Sequence, residues 1–366
     1  MSHVWLPCGL YHQEYAQDQG WWQSPLIKGK MILLLAIIFV GFPLTLTGYW
    51  FGVANMVGYT ALGALGVQLL IGYAGLITLG HAAFIAVGAY TSTLLILQFP
   101  WPQFFIDWGL AYPMSIVIAG IVAGLWSVLF GLPSAKVKGF YLILTTMAAQ
   151  FITVDFLITQ YISQIGGRGQ AFSVPPGTIK IGPWIIDTEI KTYFLVAILL
   201  TLCVIMTANL LRSKAGRAWI AIRDNDIAAE TLGINIIWYK LLNFFVAGFI
   251  AGLAGAFWVS NTAAISPEHF PWFWSLWLVG VVLIGGVGSI HGVIFGSIFM
   301  VLVMEVIQLG VISLGDVFPQ LMIKFLYIKE SVFGLAICAF LIFEPRGLSY
   351  RWWQIKNYFN LWPFSY

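Results

Sequence analysis

Long apolar stretches separated by short polar ones make up most of this chain, at residues 31–49, 51–71, 78–98, 110–132, 139–159, 192–211, 241–262, 273–287, 292–312 and 331–343. A helix needs about 20 apolar residues to cross a membrane. Only helices and closed barrels satisfy their backbone groups in lipid, and these runs are too long for barrel strands. The pattern therefore predicts an all-α polytopic membrane protein with about ten transmembrane helices. The eighth and tenth runs are short for a full crossing and are expected to be flanked by protein or to break partway.

The polar segments set the layout. Residues 1–30 form an aromatic-rich arm, in which Glu14 and Asp18 precede any apolar run. That is not the basic-then-apolar order of a cleavable signal peptide. A transmembrane domain spans 31–345, and a tail spans 346–366. Within the domain, a loop over 160–191 carries the turn signals Gly166–Gly167, Pro175–Pro176 and Gly182–Pro183, and a second hydrophilic loop covers 212–240. With an even number of crossings and cytoplasmic termini, twelve Lys and Arg fall inside, among them Arg212, Lys214, Arg217 and Arg346. The outer segments hold five: Arg168, Lys180, Lys191, Lys324 and Lys329. Positive charge marks the cytoplasmic side, so this orientation is expected.

Composition agrees: 60% of residues are hydrophobic and 8% charged, against about 25% charged in soluble domains, and the mean hydropathy is +0.90. A net charge of +3 is too small to suggest a nucleic-acid partner. The three cysteines, Cys8, Cys203 and Cys338, lack metal-ligand spacing. No phosphate-cradling Gly-x-x-x-x-Gly-Lys-Ser/Thr occurs, since Gly29–Lys30 is followed by Met31. Neither a zinc-protease helix motif, a nucleophile elbow nor a Cys/His cluster is present. No catalytic residue, metal or cofactor is expected, and an intramembrane enzyme has nothing to support it.

The 212–240 loop is the most informative stretch. Asp226 is a good N-cap, Gly233 a good C-terminal stop, and Ile227 to Leu232 between them make less than two turns. So short a helix is unstable alone in water and needs docking. Ala228 and Ala229 give a smooth face for close approach, and Asp224 and Asp226 favour its N-terminal end. On spacing alone, an ordinary capped linker fits equally well.

Ala228-Ala229-x-x-x-Gly233 resembles the Glu-Ala-Ala-x-x-x-Gly loop of ABC importer permeases, with Ile227 standing where the family has Glu. Further stretches resemble the permeases of branched-chain amino acid importers. They are Gly72-Tyr-Ala-Gly75-Leu-Ile-Thr-Leu-Gly80-His81, Lys138-Gly139-Phe-Tyr141, Ser266-Pro267-Glu-His-Phe270 and Gly285-Gly286-Val-Gly288-Ser289. The resemblance covers about residues 50–345, with the motifs in order. It implies a permease subunit in a bacterial inner membrane, paired with a second permease subunit, two ATPase subunits and an extracytoplasmic substrate-binding protein. Arg223, Asp226, Ala228, Ala229 and Gly233 would then form the ATPase-coupling segment. Relatives in the same branch carry urea and other small amides, so the substrate stays open on this reading.

Two glycine clusters interrupt apolar runs, Gly72, Gly75 and Gly80 beside His81, and Gly285, Gly286 and Gly288 ahead of His291. They suit either close helix packing or broken helices whose backbone groups line a route for a neutral or zwitterionic solute. Gly248-x-x-x-Gly252 and Ala251-x-x-x-Gly255 suit packing. Ionisable groups inside the runs are few: His81, Asp155, His291 and Glu305. Asp155 lies near one end of its run, within reach of interfacial water. Glu305 is deeper and should face protein or a cavity, as a structural carboxylate or part of a gate. The rival classes are an ion-coupled secondary transporter, which this scarcity of acidic groups disfavours, and a structural membrane scaffold.

Overall fold

The computed structural model describes residues 25–45, 47–137, 139–162, 171–175, 178–262, 264–315 and 324–361. Helix α1 (Pro25–Ala36) winds on through a π turn at Ile37–Gly41 to Phe42–Thr45. Helix α2 (Gly48–Val67) ends in a π-wound stretch, Gln68–Tyr73. After an irregular break come α3 (His81–Leu97), the short α4 (Gln103–Asp107) and α5 (Ala111–Lys136). Helix α6 (Phe140–Gln150) also turns π-wound, over Phe151–Ile162. Strand β1 (Phe172–Ser173) precedes a hairpin of β2 (Lys180–Ile181) and β3 (Trp184–Ile185), turned at Gly182 and Pro183. Then follow α7 (Glu189–Arg212), α8 (Lys214–Asp224), α9 (Asp226–Thr231) and α10 (Ile236–Thr262). Strand β4 (Ala264–Ile265) pairs antiparallel with β1. The chain continues through α11 (Trp272–Gly285), α12 (Ile290–Gly315), α13 (Phe325–Phe343) and α14 (Leu348–Leu361).

Each of the ten apolar runs falls on a helix, and the fold is an all-α, multi-pass membrane architecture. Among the described residues six helices, α2, α5, α6, α7, α10 and α12, are long and apolar enough to span; α13 taken with α14 would add a seventh. Helices α1 and α3 are apolar but shorter. The chain divides into two compact units, Gly48–Ser349 on the one hand and Met1–Thr47 with Tyr350–Tyr366 on the other. The first division falls between Thr47 and Gly48, inside the first apolar run. Lys28 and Lys30, read as part of the arm, already belong to α1.

Within the larger unit, α10 is the central post, packed against α2, α3 and α5. Phe244, Ile250, Ala251, Ala254 and Phe257 are fully buried along it. The contact is backbone on backbone, as the small-residue spacing predicts. A Cβ on Gly252 would lie 2.7 Å from the Ala119 carbonyl oxygen, and one on Gly255 only 2.0 Å from that of Ile85. In lipid, where apolar burial gives no drive between helices, such close approach supplies the association energy. The outward faces are apolar: α5 shows Met114, Val117, Ile121, Leu125 and Leu129.

Candidate functional site

The 212–240 loop is mostly helical, and its first helix escapes the sequence reading. Ser213 leaves α7 in an extended conformation and its hydroxyl accepts from Ala215 N at 3.2 Å, which starts α8. Gly216, Ala218, Trp219 and Ile222 are the buried face of α8. Trp219 is fully buried and donates its indole N–H to the Tyr239 carbonyl at 2.7 Å, folding α8 back onto the start of α10. The signal was the apolar i, i+3, i+4 spacing of Ala215, Ala218, Trp219 and Ile222, masked by Arg and Asp on every other face.

The cap of α9 differs from expectation. Asn225, not Asp226, is the N-cap: its backbone is extended and its side chain accepts from Ala228 N at 3.1 Å. Asp226 is the first helical residue, and α9 closes at Thr231 instead of Leu232. Two neighbouring residues can both cap, and α8 running up to Asp224 leaves Asn225 as the position with non-helical backbone. The stop is where the sequence puts it. Gly233 has φ +82, and Ile234 N donates back to the Ala229 carbonyl at 3.1 Å. Ala229 is buried, whereas Ile227 and Leu232 are 68% and 80% exposed. A six-residue helix that buries an alanine and exposes two large aliphatic side chains presents its apolar surface outward.

At the end of α8, Arg223 reaches back to α2. Its Nη1 donates to the Gly72 carbonyl, at the end of the π-wound stretch of α2. A Cβ on Gly75 would stand 3.2 Å from Arg223 Cγ, and one on Gly288 3.1 Å from Nη1. The two glycine breaks therefore meet at one guanidinium. A Cβ on Gly72 would lie 2.8 Å from Gly288 N. Gln68 completes the junction, its amide donating to the Gly286 carbonyl at 3.2 Å and the Ser289 carbonyl at 3.0 Å. Asn243 of α10 donates to the Leu69 carbonyl at 3.0 Å, in the π-wound turn.

The remaining candidates make none of the junction's hydrogen bonds given above. Gly80 abuts the Thr146 carbonyl, and His81, fully buried, packs beside Gly66 and edge-on to Phe84 at 5.9 Å. Gly285 abuts the carbonyl of Gly292. Glu305 accepts a hydrogen bond from the Tyr49 hydroxyl. Gln68 and Asn243 are amides inside apolar runs, where charge alone gives no cue, and Asn225 stands beside Asp226, an equally good cap by sequence. No group of His, Cys, Asp and Glu that could hold a metal occurs among the described residues.

Residues 49–327 match the family described as branched-chain amino acid transport system / permease component. The chain is similar to the high-affinity branched-chain amino acid transport system permease protein LivM of Salmonella typhimurium, 27% identical over 323 residues, covering 81% of this chain and 74% of the relative. The Escherichia coli protein of the same name matches with the same identity and coverage. The probable branched-chain amino acid transport permease protein LivM of Methanocaldococcus jannaschii is 25% identical over 333 residues, covering 82% and 91%. No solved structure matches the chain.

Proposed function

Since the chain belongs to the family of branched-chain amino acid transport permeases, we propose that it is the membrane-spanning subunit through which an ABC importer moves leucine, isoleucine, valine or similar hydrophobic amino acids. The observation that carries the mechanism is the Arg223–Gly72 hydrogen bond, which joins the α8–α9 arm to both broken helices. The proposed seating is an ATPase groove over α9, gripping Ala228, Ile227 and Leu232. Asn225 capping its start, Asp226 in its first turn and Gly233 at its end hold it to length. Hydrolysis moves the arm, and Arg223 carries that motion to Gly72, Gly75, Gly286 and Gly288. The junction is then a gate: closed, its glycines touch; open, their backbone groups face the solute, whose route continues past Gly80, His81 and Gly285. Glu305 with Tyr49 serves as a polar structural pair near the opposite ends of α2 and α12. The chain lies in a bacterial inner membrane, crossing ten times with both termini cytoplasmic. A second permease subunit, two ATPase subunits and an extracytoplasmic binding protein complete the importer.

The test is uptake of labelled leucine into proteoliposomes holding the assembled importer, with urea and propionamide as competitors. ATP-dependent leucine uptake is expected. Arg223→Ala removes a charged hydrogen bond, a type worth about 1.5–3 kcal/mol. It should lower uptake at least about tenfold while ATP hydrolysis continues. Uptake driven by a proton or sodium gradient without ATP would replace this reading with an ion-coupled transporter. Transport of urea in place of leucine would move the substrate.

A further inference from the structure

Tyr59, Trp258, Trp274, Trp277 and Phe333 form a continuous ladder of rings in the larger unit. Ring centroids stand 4.5 Å apart from Tyr59 to Trp258, 5.6 Å from Tyr59 to Trp274, 6.3 Å from Trp274 to Trp277 and 5.1 Å from Trp277 to Phe333. The last three contacts are stacked, at interplanar angles of 29°, 17° and 24°. The rungs come from α2, α10, α11 and α13. Burial of ring surface alone would account for such a ladder. Its polar atoms do not fit that account.

A buried Trp usually finds a partner for its indole N–H, and leaving such a donor unpaired is costly. Among the described residues, the N–H groups of Trp258 and Trp277 are both buried without a hydrogen bond. The side-chain oxygen of Asn261, three residues beyond Trp258 on α10, is buried and unpaired in the same way. Trp277 as a whole is only 7% exposed. Two donors and one acceptor thus stand among aromatic faces, and none of these side chains is ionised. What completes them must accept from the indoles, donate to the amide oxygen and gain from contact with the rings. Water meets the first two needs and gains nothing from the rings; lipid chains meet only the third. An α-amino acid with a hydrocarbon side chain meets all three. Its carboxylate accepts, its ammonium donates and is drawn to ring faces, and its side chain packs. Urea and small amides lack both charges.

We propose that this ladder is a solute site on the membrane-spanning chain itself, where Trp258 and Trp277 donate to the carboxylate of an apolar amino acid and Asn261 accepts from its ammonium group. Trp274 and Phe333 take the hydrocarbon side chain. The rungs touch one another in this structure and part when the arm moves, because Tyr59 and Trp277 sit on the two helices that lead to Gly72 and Gly286. Trp277 stands nine residues before Gly286, about 13 Å of helix. The inference rests on the importer reading and adds that this chain recognises the charged ends of the solute.

The test replaces one N–H at a time in the assembled importer, in proteoliposomes with saturating binding protein. Benzothienylalanine at Trp258 or at Trp277 keeps both fused rings and puts sulfur in place of the N–H. Each replacement should lower ATP-driven uptake of labelled leucine about tenfold, the worth of one hydrogen bond to a charged group. The melting temperature should stay level or rise, because the donor removed is unpaired in the resting form. Normal uptake with either replacement, or a melting temperature that falls in step with uptake, overturns the proposal. Equilibrium binding of labelled leucine to the importer purified without its binding protein gives a second reading. Isoleucine should displace the label and leucinamide, which lacks the carboxylate, should not. Equal displacement by leucinamide, or no bound leucine, overturns the proposal as well. If the ladder fails alone, wild-type leucine uptake still requires ATP; if the importer reading fails, it does not.

Discussion

The glycines of α10 and the glycines of the two helix breaks differ in what an added side chain would meet. On α10 it would meet backbone. Gly252 faces the carbonyl of Ala119 and Cα of Gly120, and Gly255 faces the carbonyl of Ile85, all on neighbouring helices that cannot retreat separately. At the breaks Gly72, Gly80 and Gly285 likewise abut backbone, but two positions also face polar side chains that can move: the Arg223 guanidinium beside Gly288 and the Ser349 hydroxyl beside Gly286. The first set holds a fixed distance between helices. The second surrounds a hydrogen-bonded junction, the one proposed above to come apart and re-form as a gate. If the proposed gate is right, one residue type builds a rigid post and a hinge within the same unit, and substitutions should separate the two.

The largest effect belongs to the post. Gly252→Leu drives four carbons into a contact where even a Cβ would lie 2.7 Å from a carbonyl oxygen. Overpacking costs about 1–3 kcal/mol where side chains can yield, and here the obstacle is backbone. The melting temperature and the yield of assembled importer should fall together, with uptake lost in proportion. Wild-type melting combined with lost uptake would put Gly252 among the moving parts and dissolve the contrast.

A smaller and different effect is expected at the hinge. Gly286 has φ +114, a conformation that L residues rarely adopt, and its carbonyl accepts from Gln68. Gly286→Ala adds one carbon against the Ser349 hydroxyl, which can rotate away, and 2.9 Å from the Arg346 carbonyl oxygen, which must shift; with the strained backbone the cost is about 1–3 kcal/mol. Assembly should survive, while uptake per ATP hydrolysed falls because the junction closes off register. Equal losses in melting temperature and uptake, in the ratio seen for Gly252→Leu, would make Gly286 another packing glycine.

Much of this was legible from the chain alone, for a physical reason. Spans depend on local composition, so every apolar run finds its helix, and the spacing Gly248, Gly252, Gly255 marks the face by which α10 packs. The Gly233 stop is equally local. What could not be read is whatever tertiary contact decides. Arg223 and Gly72 are 151 positions apart, and nothing near either residue announces the other. Asn225 and Asp226 both have capping side chains, and only the reach of α8 selects between them. Trp219 reads as an isolated aromatic in a charged loop until Tyr239 supplies a carbonyl for its indole N–H. The amides Gln68 and Asn243 were visible as polar residues in apolar runs, a cue to the junction that charge alone does not give.

The smallest effect on stability, and the sharpest on coupling, should come from Gly233. It shares the left-handed backbone of Gly286, at φ +82, yet nothing lies within 4 Å of where its Cβ would be. Strain is therefore the whole cost, and it should not depend on side-chain size. Gly233→Ala and Gly233→Leu are each expected to cost about 1 kcal/mol or slightly more. That is enough to unwind the last turn of a six-residue helix and too little to disturb the spans. The Ile234 N to Ala229 carbonyl bond closing α9 would be lost first, displacing Leu232 from the proposed ATPase contact. Both variants should melt like the wild type, still bind the ATPase, and hydrolyse ATP with uptake reduced several-fold. A much worse Leu than Ala would mean that a partner surface packs against Gly233 itself. Normal uptake by both would remove α9 from the coupling path.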